Sequence, residues 1–153
     1  MRSLQLKVPP PLVVITAAAL MAGLTYTFRG ASIDIPAHLV LAVVLAAIGI
    51  GCIGTGINEF RQHETTIDPR DPQRSSSLVD TGIYRFTRNP MYLGFLVILT
   101  GWAVYLGNLL PFVVLPAYVL YLGKYQIEPE ERLLAAKFGS RYEAYRRKVR
   151  RWI

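Results

Sequence analysis

Arg85 and Arg88, Tyr84 and Tyr92, and an Asn89-Pro90 helix breaker share one short segment. It begins Leu78-Val79-Asp80-Thr81-Gly82 and runs into apolar sequence from Met91. Guanidinium groups hold carboxylates and other anions through charge-assisted hydrogen bonds. Where an apolar run begins, such groups must face water, lipid headgroups or a protein-lined cavity, because hydrocarbon does not solvate them. Further along, Glu128-Pro129-Glu130-Glu131 places carboxylates at a helix start. The helix dipole favours anions there, and proline suits the first turn. Brought together, these sets form a polar cavity at a membrane surface, where a water-soluble cofactor can meet a lipophilic substrate.

The elements that must position them are membrane helices. The chain has 153 residues, 52% of them hydrophobic, and a net charge of +7, with a mean hydropathy of +0.32. Uncharged stretches of bilayer-spanning length recur, which predicts an all-α polytopic membrane protein with four spans, at about 9–28, 35–57, 91–107 and 108–125. The last two form a tight hairpin at Gly107-Asn108, and Pro116 kinks the fourth. The first apolar run is longer than a signal core and another span follows at once, so it reads as a retained helix. Of the 17 basic residues, Arg29 alone falls on the far side. Both termini and the loop 58–90 are therefore expected in the cytoplasm. The same residues contact anionic lipid, and no soluble basic domain remains to bind nucleic acid.

Several residues carry plainer readings. Cys52 is the one cysteine of the chain and lies mid-span, as a small packing residue. His63 has no second histidine at ligand spacing and reads as a surface residue, so no metal site is expected. Ala47, Gly51 and Thr55 recur every four residues, a ridge that lets membrane helices approach closely; Gly54-Thr55-Gly56 offers bare backbone to a ligand less readily. Asp68-Pro69-Arg70-Asp71-Pro72 and Ser75-Ser76-Ser77 predict an irregular loop. Leu134, Phe138, Tyr142, Tyr145, Val149 and Trp152 mark one apolar face, which predicts an amphipathic helix over 127–151 folding back to close the cavity.

Taken together, Thr65-Thr66-Ile67-x-Pro69, Leu78-Val79-x-x-Gly82-x-Tyr84-Arg85, Arg88-Asn89-Pro90-Met91-Tyr92-Leu93-Gly94, Glu130-Glu131-x-x-Leu134, Phe138-Gly139-x-x-Tyr142-x-x-Tyr145 and Val149-x-Arg151-Trp152 resemble the isoprenylcysteine carboxyl methyltransferase family and its short bacterial relatives. The phospholipid N-methyltransferases share parts of this pattern. The resemblance covers roughly the last two-thirds of the chain and leaves the first span outside. Two positions depart from it: Ser76 and Asn89 stand where the prenylcysteine enzymes carry histidines.

The resemblance implies an S-adenosylmethionine-dependent enzyme of a bacterial or archaeal cytoplasmic membrane. Its methyl acceptor would be a lipophilic or amphipathic molecule of carboxylate or thiol type. The cofactor pocket implied comprises Leu78, Val79, Gly82, Tyr84, Arg88, Asn89, Tyr92, Glu130 and Glu131, with Arg88 and Asn89 at the reaction centre. Glu130 or Glu131 can accept from the cofactor's ammonium or ribose, Arg88 can hold its carboxylate, and Tyr84 or Tyr92 can face the cation. Tyr92, Phe95, Leu96 and Tyr121, with Tyr118 and Tyr125, are the expected acceptor walls. Carboxylate and thiolate acceptors need no general base. Two other classes fit parts of the pattern. NADPH-dependent membrane reductases related to sterol reductases share a distant Arg-x-x-Arg-x-Pro-x-Tyr segment, and a non-catalytic membrane subunit would leave Glu130, Glu131 and Arg88 without a task.

Overall fold

The computed structural model describes residues 6–63 and 77–153, and the described residues are helical, with no strand beyond one isolated bridge. The helices are α1 (Pro10–Thr27), α2 (His38–Gln62), α3 (Pro90–Leu106), α4 (Pro111–Leu122), α5 (Glu128–Phe138) and α6 (Ser140–Lys148). Most of the loop anticipated between α2 and α3, with its Asp-Pro and serine clusters and the Thr65 motif, lies outside the described residues.

α1 and α2 are long and apolar enough to cross a membrane, with mean hydropathies of 1.5 and 2.4. Their apolar side chains are not hidden in a core: Ile15, Leu20, Val43 and Ile50 are all exposed. A surface of that kind needs a lipid or protein covering. α3 is a shorter apolar helix.

α2 and α3 pack through glycines. A Cβ on Gly49 would lie 2.5 Å from the Gly94 carbonyl oxygen, and one on Gly94 would lie 2.6 Å from that of Gly49. Farther along, Gly101 meets Ala42 and Leu45, and Gly56 meets Pro90 and Met91. This corrects the expected ridge. Ala47, Gly51 and Thr55 face outward and are exposed, and nothing lies within 4 Å of a Cβ on Gly51 or Gly54. Close approach falls on the neighbouring strip of α2, because only there does the partner helix also present glycine.

The hairpin between α3 and α4 closes as anticipated. Gly107 ends α3 with a left-handed φ of 57°. Asn108 is fully buried; its Oδ1 accepts from the Leu110 amide at 3.0 Å and its Nδ2 donates to the Phe28 carbonyl at 2.9 Å. One side chain therefore ties the hairpin to the end of α1.

α4 does not stop where the fourth span was expected to end. It passes through a π-helical turn, Gly123–Ile127, directly into α5. Pro129 explains the wide turn, since it has no N–H to give to the Tyr125 carbonyl and crowds it. The helix instead closes a longer bond from Glu128 N to Gly123 O, and the freed Tyr125 carbonyl accepts the Leu6 amide at 3.1 Å. The single amphipathic helix expected over 127–151 is two helices. Gly139, at φ 52° and ψ −127°, breaks it, a conformation that glycine adopts without steric penalty. α6 folds back, and Tyr142, Tyr145 and Val149 pack with Leu78, Val79 and Tyr84.

Candidate active site

Between the ends of α1, α2 and α3 and the α5–α6 pair lies a cavity of about 330 Å³. Its walls are mostly apolar, and its polar groups converge from three segments: the turn before α3, the start of α5 and the start of α6. Arg88 and Asn89 precede α3 because Pro90 can begin a helix but cannot continue one from the preceding turn. Glu130 and Glu131 sit in the first turn of α5.

The two glutamates, adjacent in sequence, occupy different electrostatic environments. Glu131 is locked between two cations: Arg88 NH1 lies 2.9 Å from its Oε1, and Arg151 makes two parallel bonds, Nε to Oε1 at 3.1 Å and NH2 to Oε2 at 2.7 Å. The Arg88 and Glu131 side chains are only 11% and 10% exposed. Partnership with Glu131 raises the Arg151 pKa. Glu130 instead accepts the Tyr92 hydroxyl at 2.5 Å. It touches the cavity yet sits deep among protein atoms, and that desolvation pushes its carboxyl up to about 7; the Tyr92 bond works against the shift, and Glu131 adds to it. Arg88 also donates to the Tyr142 hydroxyl at 3.3 Å, while among the described residues its buried Nε has no hydrogen-bond partner. Burial raises the Tyr142 and Tyr145 phenols, so both remain neutral donors.

The tail after α6 completes this arrangement. Arg88 N donates to the Arg150 carbonyl at 3.1 Å, and Asn89 Nδ2 donates to that of Arg151 at 2.9 Å. Tyr145 donates to the Tyr84 carbonyl at 2.8 Å. The Asn89 amide therefore holds the tail, and Arg151 is a site residue that the sequence alone did not single out as one. Its place in the Val149-x-Arg151-Trp152 motif was the available signal.

Leu78, Val79, Tyr84, Arg88, Asn89, Tyr92, Phe95, Glu130 and Glu131 all line the cavity. Gly82 does not. It turns the chain at φ 52°, and any Cβ there would collide with the Glu59 carboxylate, so its place is the bend behind the wall. Leu96 and Tyr121 also lie off the cavity. Both pack against the cluster around Leu99 and Leu122, and Tyr121 meets Tyr125 with ring centroids 4.9 Å apart. Phe60, Ile53 and Ile57 of α2 and Pro10 and Pro11 of α1 line the cavity without having been anticipated. Their apolar character had no chemical signature to distinguish them from the other apolar residues of these helices. His63 is half-buried rather than free on the surface. Thr81 donates its hydroxyl to Glu59 at 2.5 Å and, that proton committed, accepts from His63 Nε2 at 2.8 Å. This fastens the end of α2 to the segment carrying Leu78 and Val79. Among the described residues no cluster of His, Cys, Asp or Glu is arranged to hold a metal ion.

The profile of the phospholipid methyltransferase family matches residues 37–141. The chain is 33% identical over 112 residues to the protein-S-isoprenylcysteine O-methyltransferase of Schizosaccharomyces pombe, covering 68% of this chain and 46% of that enzyme's length. It is also 43% identical over 63 residues to an uncharacterized protein of Haemophilus influenzae, 41% of this chain and all of that protein. No solved structure matches it significantly. The matched span takes in α2 to α5 and both glutamates, and the chain belongs to the phospholipid methyltransferase family, as a relative of the isoprenylcysteine carboxyl methyltransferases.

Proposed function

We propose that this protein transfers a methyl group from S-adenosylmethionine to a lipophilic or amphipathic acceptor, a carboxylate or thiol, at the membrane interface. The supporting observation is the division of labour between the glutamates. Glu131 is neutralised twice by protein cations, whereas Glu130 faces the cavity with a phenol, and no cation among the described residues, as its partner. A carboxylate paired only with a phenol among the described residues, in an apolar cavity, suits a ligand that brings its own positive charge. Arg88 Nε, a buried donor without a partner, suits a ligand that also brings an acceptor. Together these poles fit a zwitterionic sulfonium, and the cavity volume lies within the range usual for small-molecule sites.

S-adenosylmethionine supplies an activated methyl group when bound; the protein's residues bind, orient and exclude water. Glu130 holds the cationic end, Arg88 the carboxylate, and the Arg151–Glu131–Arg88 clamp keeps Arg88 in place. Methyl transfer is an in-line displacement, so most acceleration comes from positioning two reactants in a dry site. In the membrane reading α1 to α4 are the four spans, with both termini cytoplasmic, and α5, α6 and the tail roof the cavity from the water side. The acceptor then comes from the bilayer. Titrating purified protein in detergent with S-adenosylmethionine and with NADPH tests the reading. Saturable binding of the first and none of the second is expected, followed by labelled methyl incorporation into lipophilic acceptors; binding of NADPH alone overturns it.

A further inference from the structure

The start of α1 forms an unusual cavity edge. A helix N-terminus normally presents unbonded N–H groups and attracts anions. Here Pro9 is the cap and Pro10 and Pro11 are the first helical residues, so those positions have no donor to present. The Leu12 and Val13 amides turn back onto the Pro9 carbonyl at 2.9 and 3.4 Å. Pro10 and Pro11 line the cavity, so the helix end it meets is hydrocarbon.

Ile53 and Ile57 of α2 line the same cavity. α1 and α2 sit on different faces of α3. Met91, Gly94 and Ile98 meet α2, while Leu99 and Ala103 pack with Ala17 and Met21 and Trp102 Nε1 donates to the Ala18 carbonyl at 3.1 Å. Phe95 lies between those faces and lines the cavity as well. The α1 edge is also held. Gln126 Nε2 donates to the Val8 carbonyl at 2.6 Å, and Leu6 N bonds the Tyr125 carbonyl that Pro129 leaves free. The whole edge precedes residue 37, where the family match begins.

We propose that Pro10 and Pro11, held by the Gln126–Val8 bond, form one jaw of a slot whose other jaw is Ile53 and Ile57. The slot takes the hydrocarbon chain of the methyl acceptor and selects acceptors by chain length and bulk. This rests on the methyl-transfer reading of the cavity and adds where the acceptor's chain lies. A chain suits this edge because Pro9, Pro10 and Pro11 bring no N–H that could hold a phosphate or carboxylate, whereas the polar poles stand together around Arg88 and Glu130. Pro11 is exposed, so the slot is open at that edge.

Two measurements on the intact protein in detergent test it, one independent of catalysis. A farnesyl thioether carboxylate with a terminal diazirine is irradiated with the protein, and the labelled peptides are mapped. Label is expected around 8–13 and 53–57, with most of it lost in Pro11→Trp; label elsewhere, or unchanged in the variant, overturns the slot. In turnover, Pro11→Trp and Gln126→Leu should lower kcat/KM for a farnesyl thioether roughly tenfold while barely affecting a dimethylallyl one, the scale on which apolar pockets discriminate chain length. Cofactor Kd should be unchanged. Equal losses for both acceptors, or weakened cofactor binding, overturn the slot. If Pro11→Trp does not fold, Pro11→Ala reads the same jaw in reverse: relative kcat/KM for bulkier chains should rise, and an unchanged ratio overturns the proposal. A parent protein that labels as expected but transfers no methyl group refutes methyl transfer and leaves the slot. One that methylates but labels elsewhere refutes the slot alone.

Discussion

Arg151 grips Glu131 through two parallel hydrogen bonds, at 3.1 and 2.7 Å, while Arg88 reaches the same carboxylate at 2.9 Å. The end of the chain is thereby part of the site. Glu131 carries no spare charge for a ligand, and Arg88 is oriented by a residue far away in sequence.

Arg151→Ala should therefore act through Arg88. The lost pair is expected to cost about 1–2 kcal/mol of stability, the value of a charge-assisted bond discounted for the one-third exposure of Arg151. Cofactor binding should weaken as well, although Arg151 does not line the cavity. Arg151→Lys, which cannot make the parallel pair, should recover less than half of either loss. Thermal melts and S-adenosylmethionine titrations in detergent measure both.

Glu130 sets a pH dependence of definite sign. Its carboxyl is pushed up to about 7, chiefly by desolvation, so the free protein holds a proton below that pH. A cationic ligand requires the ionised form. Affinity should rise about tenfold per pH unit up to about 7 and then level off, the slope of one linked proton. Stability runs the other way. A raised folded-state pKa gives a contribution that is complete below the ordinary carboxylate range and lost as pH rises through about 7. Glu130→Gln should abolish the binding slope and flatten the stability change. Calorimetry across pH 5.5–8.5 decides it, and a slope that survives in the variant assigns the proton elsewhere.

The glycines of α2 should respond in two groups. Gly49→Val places methyl groups where even a Cβ would lie 2.5 Å from the Gly94 carbonyl oxygen. It should cost about 3 kcal/mol or prevent folding, the upper range of overpacking. Gly51→Ala and Gly54→Ala meet nothing within 4 Å and should be neutral or slightly stabilising, since alanine is the better helix former. Detergent melts of the three variants separate the groups, and equal losses would contradict the α2–α3 contact.

Topology is open to labelling. With Cys52→Ala as background, cysteines at Ser32 and Ser140 should react from opposite sides of the membrane, Ser140 from the cytoplasm. Modification of both from one side would exclude the four-span arrangement.

Local chemistry was legible in the sequence, and pairings between distant residues were not. Arg88, Tyr92, Glu130 and Glu131 stood out because charge beside an apolar run has few places to go, and all four line one cavity. Which glutamate remained available could not be read, because Glu131 is taken by Arg151 across 20 residues of sequence. The same limit applies to α2. Small residues recur on more than one of its faces, Ala47, Gly51 and Thr55 on one and Ala42, Gly49 and Gly56 on another, and only Gly94 and Gly101 on the partner select the second. Leu96 and Tyr121 carried the right chemistry on the wrong helical face, a matter of rotation about α3 and α4 that no local pattern fixes. The break at Gly139 left no trace in the apolar period, because α5 brings Leu134 and Phe138, and α6 brings Tyr142 and Tyr145, to the same core.

The unbroken helix from Pro111 to Phe138 has a mechanical consequence. Glu130 rides on the same rod as the apolar residues of α4, with a wide turn between them but no loop to absorb displacement. In the membrane reading proposed above, a thinner or thicker bilayer that tilts that rod moves Glu130 and Glu131 together and loads the bonds that tie them to Tyr92 and Arg88 beside α3. On that reading lipid composition bears on the geometry of the polar poles, and turnover should follow acyl-chain length even when the acceptor is held constant.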